Sequence, residues 1–160
     1  MLFRSVHRWK KRLASAPGDR LVGGRTIRAE DEASYFCTGG TTGLPKIAVR
    51  THGSEVANAW MGTRMLGGEL AADGIIFCGL PLFHVNAVIA TGLAPFMIGS
   101  RVLLAGPQGF RTPGIIERFW EIAAYHRVTA FSGVPTLFAA LLEHSTAGHD
   151  LSSFRCAFSG

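Results

Sequence analysis

The 160-residue chain is 48% hydrophobic and 17% charged, which suits one globular domain and excludes wholesale disorder. Five of its 16 basic residues, Arg4, Arg8, Lys10, Lys11 and Arg12, stand in the first 12 positions without an acid among them, and the rest balance the 11 acids. The net charge of +5 therefore belongs to a short leading segment, and a nucleic-acid surface spread along the fold is excluded.

Residues 1–15 read as a basic helical segment, with Leu2, Val6, Trp9 and Leu13 on one stripe. An acid-free, Arg-rich polar face suits a membrane surface or a mitochondrial presequence; a helix packed on protein, with its charges in water, is the reading preferred. No apolar stretch followed by a small-residue cleavage site is present, so secretion is not expected. Residues 16–160 read as the main domain. Ala33 to Cys37 is a compact strand candidate that runs into a Gly/Thr-rich stretch, and Lys46 to Arg50 is a second strand. Val56, Ala59, Trp60, Thr63 and Leu66 give a helical face from Ser54 onward, stopped by Gly67-Gly68.

Strands and helices then alternate. Ile75 to Cys78, Arg101 to Leu104, Val128 to Phe131 and Phe154 to Phe158 read as strands. Asn86 to Ile98, a helix from Thr112 (N-cap) and Pro113 (N1), and Pro135 to His144 read as helices. This order predicts an α/β fold, a largely parallel sheet with flanking helices. Phe119, Trp120 and Phe138 are expected in the core. Ile75 to Ser100 carries no Asp, Glu, Lys or Arg, but Pro81, His84, Asn86, Gly92 and Pro95 break it, so no membrane span is expected. Cys37, Cys78 and Cys156 are three distant thiols without a C-x-x-C pair, which points to a reducing, cytoplasmic compartment; Cys37 reads as a small buried apolar residue. No His/Cys spacing fits a metal centre.

The stretch Thr38-Gly39-Gly40-Thr41-Thr42-Gly43-Leu44-Pro45-Lys46 carries the chemistry. Glycines let the backbone approach a ligand closely and turn several N–H groups into one concavity, which suits an anion. Three threonine hydroxyls and the Lys46 ammonium add donors and charge, so the loop is built for a polyphosphate. A Walker A loop is excluded, because Leu44-Pro45 precedes the lysine and Ile47 follows it; a dinucleotide fingerprint fails on spacing.

YFCTGGTTGLPK resembles the phosphate-loop signature of the adenylate-forming enzymes, which include acyl- and aryl-CoA synthetases, luciferases and peptide-synthetase adenylation domains. Gly79 to Ala87 (GLPLFHVNA), Val128 to Leu142 and the closing LSSFRCAFSG resemble further family segments in the same order. The resemblance implies an incomplete portion of the N-terminal domain of an acyl-CoA synthetase-like fold, truncated at both ends and not competent alone. It implies a ligase that uses ATP and Mg²⁺ to activate a small-molecule carboxylic acid as acyl-adenylate and transfers it to CoA. By the same resemblance Thr38, Gly39, Gly40, Thr41, Thr42, Gly43 and Lys46 hold the phosphates. His84 acts as the catalytic contact beside the carboxylate, and Gly133, Val134 and Pro135 shape the acyl tunnel. Gly39 stands where the family usually has Ser. The competing expectation is a non-catalytic nucleotide- or phosphate-binding remnant.

Overall fold

The structure, a computed structural model, describes residues 9–20, 22–38 and 46–159. The expectations for Gly39, Gly40, Thr41, Thr42 and Gly43 fall outside the described residues. Helix α1 (Trp9–Ala14) comes first, and Leu13 on it is exposed, so the apolar stripe is uncovered at that position.

Strands β1 (Glu32–Thr38) and β2 (Lys46–Thr51) form an antiparallel hairpin of their own, with Thr38 opposite Lys46 and Tyr35 opposite Val49. The period of two puts Tyr35, Cys37, Ile47 and Val49 on one face of this ribbon, and all four are exposed. Cys37 is therefore exposed, which corrects its reading as a buried apolar residue.

Helix α2 (His52–Met65) follows at once, its start fixed by a reciprocal cap. The Ser54 N–H donates to Thr51 Oγ1 (3.2 Å) and the Thr51 N–H to Ser54 Oγ (3.1 Å). Gly67, at φ +53°, ends the run as its sequence position suggests. Of the apolar face expected on α2, Ala59 is buried against Ile89 and Ala94, whereas Val56 and Trp60 stay exposed.

The second half builds a four-stranded parallel sheet from β3 (Ile75–Cys78), β4 (Arg101–Leu104), β5 (Ala130–Gly133) and β6 (Cys156–Ser159), in spatial order β4-β3-β5-β6. Alternate residues serve opposite faces. Phe77 and Phe131 point to a core with Phe119 and Ala123 of α4 (Phe119–Tyr125) and Leu137 and Leu141 of α5 (Pro135–Leu142). Phe119 sits at the centre, edge-on to Phe77 at 5.3 Å and to Phe131 at 4.8 Å between ring centroids. Ile76 and Ala130 face the other way, toward Leu66, Leu70 and Ile98. Trp120 and Phe138 are partly buried against the aromatic core, as expected of core residues.

The charge-free stretch after β3 contains a wide-turn helical segment (Asn86–Leu93) that leads into α3 (Ala94–Met97), and the Ala94 N–H reaches back five residues to Ile89 O. Among the described residues no helix is long and apolar enough to cross a membrane. The helix expected to start at Thr112 does not form: Gly114 takes φ +83°, a left-handed conformation that interrupts helical continuation, and regular helix begins only at Phe119. Ile115 and Ile116 still pack on the aromatic core from the intervening turns.

Candidate functional site

Parallel strands end along one edge of the sheet, and ligands of such sheets bind beyond that edge where the strand order reverses. From β3 the chain leaves toward β4 on one side, and from β5 toward β6 on the other, so the reversal lies between β3 and β5. A cavity of about 570 Å³ opens there, within the size range of small-molecule sites. Gly79, Leu80, Pro81 and His84 line it from the loop after β3, Asn86 from the start of the wide-turn helical segment, Val134, Thr136, Leu137 and Ala140 from the end of β5 and α5, and Gln108, Phe110, Arg111 and Ile116 from the turns after β4.

His84 is exposed on this wall. Its backbone N–H donates to Pro81 O (3.0 Å), its carbonyl accepts from the Val88 N–H (3.3 Å), and its ring lies 4.5 Å from that of Phe83. Its imidazole makes no hydrogen bond among the described residues, so both ring nitrogens are available to a ligand. Of the three residues expected to shape the tunnel, Val134 alone lines the cavity. Gly133 is buried where a Cβ would meet Leu137 Cδ2 at 2.7 Å, so it serves the packing of α5 on β5. Pro135 occupies the first turn of α5, a position that needs no N–H.

The wall formed by residues 108–111 was not legible from motif spacing. It depends on two glycines far apart in sequence: Gly109, at φ +54°, lies so close to Gly79 that a Cβ would fall 2.1 Å from Gly79 O. The adjacent Phe110 N–H donates to that same oxygen at 2.8 Å. This contact brings Gln108, Phe110 and Arg111 beside the His84 loop. The Gly-Pro-Gln-Gly sequence at 106–109 marks the turn but not its docking. Leu80, Pro81, Gln108 and Arg111 also border a second cavity of about 750 Å³ that reaches Cys78, Leu82, Phe83 and Leu104. The Cys78 thiol accepts from Thr91 Oγ1 at 3.2 Å; burial pushes its pKa up, and that hydroxyl partly opposes the shift.

Thr38 and Lys46 sit at the neck of the Gly/Thr loop. Thr38 Oγ1 donates to Lys46 O at 3.0 Å, so this hydroxyl closes the neck, while both side chains remain at the surface. The hairpin that carries them is tied to α2 through Glu55, which accepts from Ser34 Oγ and lies 3.8 Å from Arg50 Nε. The neck is thus held by a largely buried carboxylate rather than by the hairpin alone. Among the described residues no three His, Cys, Asp or Glu side chains come together as a metal site.

The family model of the AMP-binding enzymes matches residues 6–160. The marinolic acid–CoA ligase of Pseudoalteromonas sp. (strain SANK 73390) is 40% identical over 152 residues, which cover 92% of this chain and 23% of that protein. 4-Coumarate–CoA ligase 3 of Arabidopsis thaliana is 33% identical over 140 residues, covering 84% and 23%. The chain thus spans about a quarter of the length of these relatives. Among solved structures, o-succinylbenzoate CoA synthetase (MenE) from Bacillus subtilis, in complex with its acyl-adenylate intermediate, superposes with a TM-score of 0.70 at 28% identity, covering 84% of this chain and 32% of that one. The same enzyme has been solved with ATP and magnesium ion. The α/β architecture is that of the adenylate-forming enzymes, the relatives are acid–thiol ligases, and the chain belongs to the AMP-binding enzyme family.

Proposed function

We propose that this chain supplies the acid-binding cavity and the triphosphate loop of an acyl- or aryl-CoA ligase. The observation that carries the reading is the cavity at the reversal point between β3 and β5, where His84 offers an unengaged imidazole. A carboxylate oxygen attacks the α-phosphorus of ATP, the bond to the β-phosphate oxygen breaks, and acyl-adenylate and pyrophosphate form. The thiol of CoA then attacks the acyl carbon, AMP leaves, and a thioester results. This chemistry depends on positioning and on neutralising phosphate charge.

In this proposal His84 hydrogen-bonds the carboxylate and orients it, and Val134 borders the acyl group. Thr38 closes the neck of the loop, Gly39, Gly40, Thr41, Thr42 and Gly43 wrap the β- and γ-phosphates, and Lys46 adds a positive charge as pyrophosphate departs. Gly133 and Pro135 act through α5, by setting where it starts and how closely it packs. Magnesium, when bound, would draw charge from the phosphates; the described residues offer no acidic cluster for it, so the proposal assigns it no ligand. The free thiols Cys37, Cys78 and Cys156 suit a reducing cytoplasm.

The test is acid-dependent ATP–pyrophosphate exchange by the protein that carries this chain, against a panel of carboxylic acids. Lys46→Ala, and Thr41→Ala with Thr42→Ala, are expected to cut exchange at least tenfold. Exchange at the unmodified rate in these variants overturns the loop assignment. Pyrophosphate binding without exchange for any acid would favour a phosphate-binding chain that does not turn over.

A further inference from the structure

We infer that the acid held at this cavity carries a second, anionic group at its far end, and that Arg111 is the residue that selects it. The inference rests on the reading of His84 as the contact for the reacting carboxylate. Arg111 ends the short turn Gly109–Arg111, which the Phe110–Gly79 hydrogen bond and the Gly109 approach hold against the loop after β3. Arg111 therefore lines the cavity, at its border with the second one, from a turn docked on the loop after β3. Elsewhere Arg118 pairs with Glu121 at 2.8 Å and Arg155 with Asp73 at 3.2 Å, whereas Arg111 has no ion pair or side-chain hydrogen bond among the described residues. Among the described residues no Asp or Glu lines the cavity, so the Arg111 charge is not offset there.

A plain hydrocarbon tail does not suit this wall. Asn86 lines the same cavity, and its Oδ1 is buried with no hydrogen-bond partner among the described residues. An alkyl chain would cover the Arg111 guanidinium with apolar atoms and leave its donors unpaired. An anionic head group meets that need, because its oxygens take the guanidinium fork. Gln108 and Thr136 add further polar contacts on the same wall.

The test uses a matched pair of five-carbon acids, pentanoate and glutarate, titrated into the chain with ¹³C-labelled histidine. The His84 resonance, assigned by its loss in His84→Gln, reports occupancy. Both acids are expected to move it, and glutarate to half-saturate at roughly ten- to a hundredfold lower concentration, the range of a charge-assisted hydrogen bond. Arg111→Gln, at an exposed position that leaves the fold intact, is expected to remove the gap, and Arg111→Lys to keep part of it. Arg101→Gln removes the same charge away from the cavity and is expected to keep the gap in full. Equal half-saturation by the two acids, a gap that survives Arg111→Gln, or its loss in Arg101→Gln overturns the inference and leaves the His84 reading standing. A His84 resonance that neither acid moves overturns both.

Discussion

Replacing Gly109 by alanine tests the contact that assembles the cavity. A Cβ there would lie 2.1 Å from Gly79 O and 2.9 Å from Gly79 C, both backbone atoms that cannot rotate aside. The turn must retreat by about 1 Å to reach ordinary van der Waals separation, which breaks the 2.8 Å bond from the Phe110 N–H. The left-handed φ of +54° costs an L-residue about 1–2 kcal/mol, and the lost hydrogen bond about 1 kcal/mol more. Phe110 would also loosen from Phe77 and Phe119, whose ring centroids lie 5.2 and 5.8 Å away. A total loss of about 2–4 kcal/mol follows. Gly106 provides the control, because it has φ +84° in the same turn region with nothing within 4 Å of an added Cβ. Gly106→Ala should therefore cost only the backbone strain, about 1–2 kcal/mol. Urea unfolding followed by tryptophan fluorescence measures both. If Gly109→Ala costs no more than Gly106→Ala, the turn is not docked on Gly79, and the argument for its wall of the cavity fails.

Two further substitutions and titrations follow from the same geometry. Thr51→Ala removes one half of the reciprocal cap of α2 and is expected to cost about 1 kcal/mol in the same urea assay; no loss would mean the cap contributes nothing to holding the hairpin on α2. The thiols should differ in reactivity toward a disulfide reagent, exposed Cys37 reacting at once and buried Cys78 only as the chain unfolds, and equal rates would contradict its burial. The raised pKa of Cys78 has a defined sign. The native thiol keeps its proton above its ordinary value of 9.0 while the unfolded thiol gives it up, so this contribution to stability is full below pH 9.0 and is lost as pH rises through the native pKa. A Cys78→Ala variant should accordingly show a weaker decline in stability above that pH.

How far the residues announced their structure depended on the range of the forces involved. Ile75–Cys78 and Arg101–Leu104 form strands where their short apolar runs predicted, since strands covered on both faces need little beyond local composition. The start of α2 was set by Thr51 and Ser54, two neighbours in sequence. The helix expected from Thr112 failed because a correct N-cap and N1 pattern was overruled two residues later by a left-handed Gly114. Cys37 was misjudged because burial in a strand depends on what covers the strand, and this hairpin leaves the Cys37 face exposed. His84 and Val134 could be named from their motifs, but Arg111 and Asn86 could not. Arg111 reaches the cavity through a contact between Gly79 and Gly109, and Asn86 stands out only because its oxygen is buried without a donor.

The central claim is that the acid binds between the ends of β3 and β5, beside His84. Photolabelling with a diazirine-bearing carboxylic acid, followed by peptide mapping, tests it most directly. The account predicts label within Leu80–Asn86 or Val134–Ala140, suppressed by the unmodified acid and reduced in His84→Gln. Label concentrated instead in the groove along α2, at His52, Val56 or Trp60, with no competition by the unmodified acid, would contradict it.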